Sequence, residues 1–302
     1  NSLYINAPIA LSEVKDAILS LPNKKTSVGS DAVSNDMLKH LPENFILLLH
    51  KLFHKCWVQG VIPIQWKQSI VVPVHKLGKP RTDKTSYRPI ALTSHTGKLM
   101  ERIMLGILLY YCQKNKIIPI NQAGFQRGRS AIDNLIKLTT YVKQQFARRK
   151  NVLATFFDIK KAYDQVWHAR LLRKLKIIGF SGYFYHYVKS FLSNRSIQVR
   201  VGNTYSEPRY LHMGLPQGSV IAPVLFNILL HDLPKHLSKD VVLVQYADDI
   251  CIWMNVNMKR NTSKRAVNYT KKIYQKELDN LNKYITENGL TLSAEKNAHD
   301  AF

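Results

Sequence analysis

The sequence predicts an α+β fold in which helices pack on one side of an antiparallel sheet. Two continuous apolar runs, 152–157 and 241–246, are typical of buried central strands. Apolar residues at helical spacing over 43–59 and 264–288 predict two long helices. The 302 residues contain no internal repeat or low-complexity linker, and their number suits one large domain or two of ordinary size.

Shorter elements follow from the same signals in chain order. The β-branched segments 69–75 and 88–93 flank a Lys/Gly/Pro-rich turn and predict a hairpin with a basic tip. Gly60 and Gly289 stand where glycine ends a helix, after 43–59 and 264–288. The other predicted helices are 12–21, 130–149, 169–176, 183–192 and one starting near 218, and the other predicted strands are 196–201 and 209–212.

The net charge of the chain indicates what kind of partner it binds. Lys and Arg number 44 against 20 Asp and Glu, which gives a net charge of +24 and favours a polyanion such as nucleic acid. A solvated basic surface, a ribosomal protein and a membrane-surface protein are the alternatives. Cys56, Cys112 and Cys251 are scattered, which argues against a disulfide framework or a zinc site.

No run of ~18 apolar residues and no signal pattern occur, so we expect no membrane span and no secretion, but a nuclear or cytoplasmic location.

Each of the two apolar runs ends in acid. Asp158 follows the first, and Asp248 with Asp249 follows the second. Adjacent carboxylates after a buried strand repel one another and resist desolvation, and a divalent cation relieves both costs. Two such ions, about 3.5–4 Å apart, activate a 3′-hydroxyl and stabilise a leaving pyrophosphate in nucleotidyl transfer. Turn or cap geometry is the alternative role for aspartates at such positions.

Three blocks resemble reverse transcriptases, and they occur in the order found in that family. They are Phe-Asp-Ile-Lys-Lys-Ala-Tyr-Asp-Gln-Val at 157–166, Gly-Leu-Pro-Gln-Gly-Ser at the start of 214–227, and Tyr-Ala-Asp-Asp at 246–249. Ordered co-occurrence of several blocks is far more specific than any one of them.

Three further blocks are similar to non-LTR (LINE-type) retrotransposons of the Jockey-like kind, and they bring the region of resemblance to about 24–296. They are Tyr-Arg-Pro-Ile-Ala-Leu at 87–92, Lys-Leu-Met-Glu-Arg at 98–102, and Asn-Gln-Ala-Gly-Phe-Gln-Arg-Gly-Arg-Ser at 121–130. The resemblance implies a right-hand polymerase with fingers and an antiparallel palm sheet. We expect the thumb to be absent, because the sequence stops at Phe302, before the region in which the family carries it. We expect an N-terminal helical extension of the fingers at 1–56 and a reverse transcriptase domain at 57–302, with fingers at about 57–150 and palm at about 151–302. Truncated before the thumb, the chain is expected to be either a fragment of a larger polyprotein or an isolated remnant of one.

The resemblance assigns the catalytic groups. Asp158 and Asp248 hold two Mg²⁺ ions, with Mn²⁺ as the alternative metal, and Asp249 supports the same metal site. Lys296 is the general acid that protonates the leaving pyrophosphate. Here the chain departs from the family, because Asn297 stands where relatives usually carry Thr.

The resemblance also assigns residues to the incoming nucleotide. Tyr163 excludes a ribose 2′-hydroxyl by steric clash, although many relatives carry Phe there. Arg88, held extended by the proline that follows it, contacts the triphosphate. Gly218 allows a close backbone approach. The predicted nucleotide-binding residues are Lys76, Arg88, Ile159, Tyr163, Gln217 and Gly218.

The expected activity is that of an RNA-directed DNA polymerase that uses an RNA template, a DNA primer and dNTPs. Basic segments 137–150 and 170–176 are candidates for contact with template or primer backbone, with solvated faces as the alternative. A catalytically inactive, nucleic-acid-binding fragment is the second interpretation. An RNA-dependent RNA polymerase is the third, and Tyr163 argues against it. The sequence leaves the oligomeric state open.

Overall fold

The chain forms two compact units in the computed structural model, which describes residues 4–23, 27–256, 264–293 and 298–301. The first unit comprises Asn1–Asn115 and His168–Ala222, and the second comprises Lys116–Trp167 and Pro223–Phe302. The expected boundaries of the helical extension, fingers and palm stay predictions, as does the absence of a thumb. No helix within the described ranges is long and apolar enough to cross a membrane.

Each predicted helix and strand is present with its ends shifted by at most four residues. The helices are α1 (Leu11–Leu19), α2 (Asn35–Lys39), α3 (Glu43–Gln59), α4 (Ile64–Lys67), α5 (His95–Lys114), α6 (Ala131–Ala147), α7 (His168–Ile177), α8 (Gly182–Leu192), α9 (Ala222–Leu229) and α10 (Lys264–Glu287). The strands are β1 (Gln68–His75), β2 (Tyr87–Leu92), β3 (Asn151–Phe157), β4 (Arg195–Val201), β5 (Thr204–Tyr205), β6 (Arg209–Leu211), β7 (Val242–Tyr246), β8 (Asp249–Val256) and β9 (Ala298–Ala301). Of these elements, α2, α4, α5, β5, β8 and β9 were not predicted.

The strands form two sheets instead of the single sheet expected. In the first unit the order is β2-β1-β4-β5, with β6 also paired to β4. The β1–β4 pair is parallel and the other pairs of this sheet are antiparallel. In the second unit the order is β7-β8-β3-β9, and every pair is antiparallel.

Helices cover both faces of the second sheet. On one face Leu138 of α6 joins a buried cluster with Val244 and Trp253. On the other, the Tyr274 hydroxyl of α10 donates to the Thr155 hydroxyl at 2.8 Å. The expected arrangement with helices on one side only is therefore wrong for this unit. Because successive strand residues point to opposite faces, a continuous apolar run leaves both faces to be covered.

Two helix predictions need correction. The helix expected from near Gly218 begins at Ala222, because Gly218 has a φ of +98° and lies in a turn. Helix α5 was not predicted, although Ser94 caps it by accepting a hydrogen bond from the Gly97 amide at 2.9 Å. Its buried face repeats at helical spacing and comprises Leu99, Met100, Ile103, Met104, Ile107 and Leu108.

Candidate functional site

Strand pairing places the three acidic positions at one edge of the second sheet. Phe157, the last residue of β3, pairs with Ile250 of β8. Continuing this register by one residue sets Asp158 beside Asp249, while Asp248 lies in the turn that joins β7 to β8. The sequence predicted both strand ends, and the antiparallel pairing of β3 with β8 brings their backbones together.

The backbone after Asp158 is fixed by a second segment of the same unit. The Ser293 amide donates to the Asp158 carbonyl at 2.8 Å, and the Lys160 amide donates to the Thr291 carbonyl at 2.8 Å. Ile159 forms an isolated antiparallel bridge with Leu292, and its side chain is buried. The backbone of Ile159, and not its side chain, is therefore the part that a nucleotide could contact.

The carboxylates differ in surroundings. Asp158 and Asp248 are half-buried, whereas Asp249 is exposed and lines a cavity of about 280 Å³ beneath α6. In the described part of the chain, no three His, Cys, Asp or Glu side chains form a group that could hold an ion. Mg²⁺ is commonly bound by one or two carboxylates, with substrate phosphates and water completing its shell. A pair formed by Asp158 and Asp248 fits that pattern better than a set of all three.

Tyr163 lies beside this acidic edge. Its ring stacks on Phe226 of α9, with ring centroids 5.3 Å apart and an interplanar angle of 19°. Burial raises the pKa of the Tyr163 hydroxyl above its ordinary value, and the negative charge of Asp248 adds to the effect. The phenol is therefore neutral at physiological pH, and its ring is fixed from one side.

The first unit carries the remaining described nucleotide candidates. Arg88 is exposed on β2. Lys76 lies at the end of the β1–β2 hairpin, where its ammonium donates to the Thr85 carbonyl at 2.8 Å. A Cβ on Gly218 would lie 2.9 Å from the carbonyl oxygen of Ala91, so the loop containing Gly218 packs tightly against the strand that carries Arg88.

Glu101 of α5 is a site residue that the sequence reasoning missed. Its Oε2 atom accepts hydrogen bonds from the Ser219 hydroxyl at 2.6 Å and from the Val220 amide at 2.6 Å. The side chain therefore holds the loop that presents Gln217 and Gly218. An acidic residue among the buried apolar positions of 95–114 was the available signal, but it is visible only once α5 is recognised.

Lys296, the predicted general acid, lies outside the described residues.

Comparison with known proteins now identifies the family. Residues 74–299 match the family described as reverse transcriptase (RNA-dependent DNA polymerase). The chain belongs to the reverse transcriptase family. This reverse transcriptase domain is 38% identical over 256 residues to the probable RNA-directed DNA polymerase from transposon BS of Drosophila melanogaster, covering 83% of this chain and 28% of that protein. It is 35% identical over 257 residues to the RNA-directed DNA polymerase from mobile element jockey of the same species, with the same two coverages.

These relatives confirm the expected reverse transcriptase domain of the non-LTR, Jockey-like kind. The reverse transcriptase domain spans a little over a quarter of the length of the two relatives.

Solved structures support the fold. Apo telomerase from Candida tropicalis, truncated from its C-terminal domain, superposes with a TM-score of 0.54 at 12% identity, covering 84% of this chain and 56% of that one. Telomerase of the same organism in complex with a fragment of telomeric RNA gives a TM-score of 0.51 at 13% identity, covering 84% and 44%. The expected mixed helix and strand fold of a reverse transcriptase is thus confirmed.

Proposed function

We propose that this chain carries the polymerase site of an RNA-directed DNA polymerase, which extends a DNA primer on an RNA template. The observation that carries the proposal is the position of Asp158 and Asp248 at neighbouring strand ends of one antiparallel sheet, both half-buried. The neutral ring of Tyr163 lies beside them.

Asp158 and Asp248 are the proposed ligands of two Mg²⁺ ions, with Mn²⁺ as the alternative. When bound, the ions lower the pKa of the primer 3′-hydroxyl and neutralise charge on the pyrophosphate. Asp249 is proposed, on the family resemblance, to support the metal site; its side chain is exposed and borders the cavity beneath α6. Lys296 is proposed, on the family resemblance alone, to protonate the leaving pyrophosphate.

The proposed roles in nucleotide binding follow the same resemblance. Arg88 binds the triphosphate through its planar guanidinium, with Lys76 as a second cation of the same hairpin. Gln217 and Gly218 line the nucleotide, and the backbone of Ile159 contacts it. Tyr163 stacks beneath the sugar and excludes a 2′-hydroxyl. The stacking of Tyr163 on Phe226 supports this role. Because Phe226 packs against one face of the Tyr163 ring, the ring cannot move away to make room for a ribose 2′-oxygen.

Nucleic acid is the proposed partner along the basic surface. The net charge of +24 supports binding of an RNA template and a DNA primer through phosphate contacts. The division into fingers at 57–150 and palm at 151–302 belongs to this proposal, as does a nuclear or cytoplasmic location.

Primer extension tests the proposal. The chain, and a longer polypeptide where its reading frame continues, is incubated with primed RNA, dNTPs and Mg²⁺. We expect extension that Asp158→Asn abolishes and that Asp240→Asn, a matched change at an exposed position before β7, leaves intact. Extension that survives Asp158→Asn contradicts the proposal.

The charge favours one second candidate, a catalytically inactive protein that binds nucleic acid. That alternative predicts RNA binding without incorporation, and equal RNA affinity for the original chain and Asp158→Asn. Replacing dNTPs by rNTPs in the same assay tests an RNA-dependent RNA polymerase, for which rNTPs would be the preferred substrates.

A further inference from the structure

We propose that Gln122 is a positioning residue that fixes the turn carrying Asp248, and so sets where one metal-binding carboxylate lies. Gln122 belongs to the 121–130 block and had no assigned role. The inference rests on the proposed function for its catalytic consequence, whereas its structural content can be tested without any polymerase activity.

The amide side chain of Gln122 holds the turn residue Ala247 by both of its backbone groups. Oε1 of Gln122 accepts a hydrogen bond from the Ala247 amide at 2.9 Å, and Nε2 donates to the Ala247 carbonyl at 3.3 Å. Oε1 also accepts from the Gly124 amide at 2.7 Å. With 2% of its surface exposed, Gln122 makes these contacts out of reach of bulk water. We call this set of three hydrogen bonds the Gln122 clamp.

Ala247 is a residue that needs such support. It has a φ of +57°, and it is the first of the two residues in the β7–β8 turn. A positive φ is disfavoured for residues with a Cβ, and tight hairpin turns that need a positive φ at their first residue prefer glycine there. Ala247 is also buried, so its amide would lack a partner without Gln122.

The clamp is itself anchored on two sides. Residues next to Gln122 pair with the free edge of β7, where the Gln245 amide donates to the Asn121 carbonyl at 2.8 Å and the Ala123 amide donates to the Gln245 carbonyl at 2.9 Å. A Cβ at Gly124 would collide with the Ala247 amide nitrogen, so only glycine permits this approach.

Helix α9 connects the clamp to Tyr163. Asn227 donates from Nδ2 to the Gly124 carbonyl at 2.9 Å. The ring of the preceding residue, Phe226, stacks on the ring of Tyr163. One helix therefore supports both the aromatic ring and the clamp on the Asp248 turn. Removing the hydrogen bonds of Gln122 should displace the turn that carries Asp248. The pairing of β3 with β8, which positions Asp158, should stay intact.

Amide hydrogen exchange tests the clamp directly. Gln122→Met keeps the length of the side chain and removes all three hydrogen bonds. We expect exchange at the Ala247 and Gly124 amides to accelerate by about tenfold or more, as for the loss of one hydrogen bond, with β3–β8 amides unchanged. Gln275→Met, on the exposed side of α10, is the matched control and should alter neither amide. Unchanged exchange at Ala247 in Gln122→Met overturns the clamp, whatever the polymerase assay gives.

Kinetics then separate positioning from a purely structural role. In Gln122→Met we expect kcat to fall by up to about 100-fold, as for a small displacement of a reacting group, with the KM for dNTP unchanged and more Mg²⁺ needed for half-maximal rate. Adding Ala247→Gly should restore part of kcat, because glycine adopts the turn conformation without support. A kcat equal to that of the original chain, or no rescue by glycine, overturns the positioning role.

A metal titration keeps the test independent of catalysis. Mn²⁺ added to isotopically labelled chain should broaden the amide signals around Asp248 at a lower concentration in the original chain than in Gln122→Met. If the original chain incorporates no nucleotide yet shows this difference, the proposed function fails and the positioning of Asp248 by Gln122 stands. Equal titrations in both proteins count against the positioning role.

Discussion

Glu101 and Arg195 are opposite charges buried within the first unit, and each also binds backbone. Glu101 accepts hydrogen bonds from the loop that carries Gln217, whereas Nη1 of Arg195 donates to the Phe191 carbonyl at 3.1 Å. Burial raises the pKa of Glu101 above its ordinary 4.5, and the charge of Arg195 opposes that rise. Breaking such a pair from one side is costly, because a buried charge then lacks its partner.

Glu101→Gln should change how stability depends on pH. Because the pKa of Glu101 is raised on folding, the folded state binds its proton more tightly than the unfolded state. The stability of the original chain therefore falls as pH rises from about 4.5 towards the folded-state pKa. Glutamine removes this dependence, so the free energy of unfolding of Glu101→Gln minus that of the original chain should increase over the same interval. Urea denaturation at a series of pH values measures this difference in free energy of unfolding, with Glu207→Gln at an exposed position as control. A difference in free energy that does not change with pH contradicts the prediction.

Tyr163→Ala should relax discrimination against ribonucleotides. Removing the ring opens space beneath the sugar, and one excluded group in a pocket is worth roughly 10–200-fold in kcat/KM. In Tyr163→Ala we expect the dNTP-to-rNTP ratio of kcat/KM to decrease by roughly 10–200-fold. In Tyr163→Phe we expect the ratio to stay unchanged, because the ring remains stacked on Phe226. Competition between dNTP and rNTP in primer extension gives the ratio. An unchanged ratio in Tyr163→Ala removes Tyr163 from the nucleotide site.

Gly218→Ala should destabilise the first unit more than Gly202→Ala. Both glycines have positive φ, +98° and +61°, so each alanine is strained by about 1 kcal/mol or more. Only at Gly218 does the added Cβ also meet an atom, the Ala91 carbonyl oxygen, whereas nothing lies within 4 Å at Gly202. Chemical denaturation compares the two free energies of unfolding. Equal losses would show that the contact with Ala91 costs nothing.

Affinity for RNA should fall steeply with salt. With a net charge of +24 and a slope of about −0.7 per phosphate for a single strand, a complex with roughly 6–10 phosphate contacts loses about 300-fold to 10⁴-fold in affinity between roughly 50 and 200 mM salt. Titration of labelled single-stranded RNA by fluorescence anisotropy at several salt concentrations gives the slope. A weak dependence on salt would argue against an extensive phosphate-binding surface.

Most elements were predictable because their signals are local. Apolar periodicity and the glycine that follows it located α3 to the residue and α10 to within one residue at its end. Helix α5 was not predicted, although its apolar residues repeat at helical spacing. The start of α9 was misplaced because Gly218 belongs to a turn of positive φ, a feature that depends on the packing of its loop.

The structure brings only some of the predicted site residues together, and their roles stay predictions. Asp158, Asp248 and Tyr163 come together in the second unit, as their blocks implied. Asp249 is more exposed than its neighbour, which no count of acidic residues could reveal. Glu101 and Gln122 could not be assigned, because Ser219 and Ala247, the partners that indicate their roles, lie more than 100 residues away in sequence.

The sequence by itself determined that two buried strands end in aspartate and that the chain is strongly basic, since both are properties of local order and composition. Tertiary structure alone decided that Gln122 forms a hydrogen bond with Ala247 and that Glu101 forms one with Ser219. The physical reason is that a buried polar side chain must find its hydrogen-bond partners in space, and only the folded backbone brings those partners within reach.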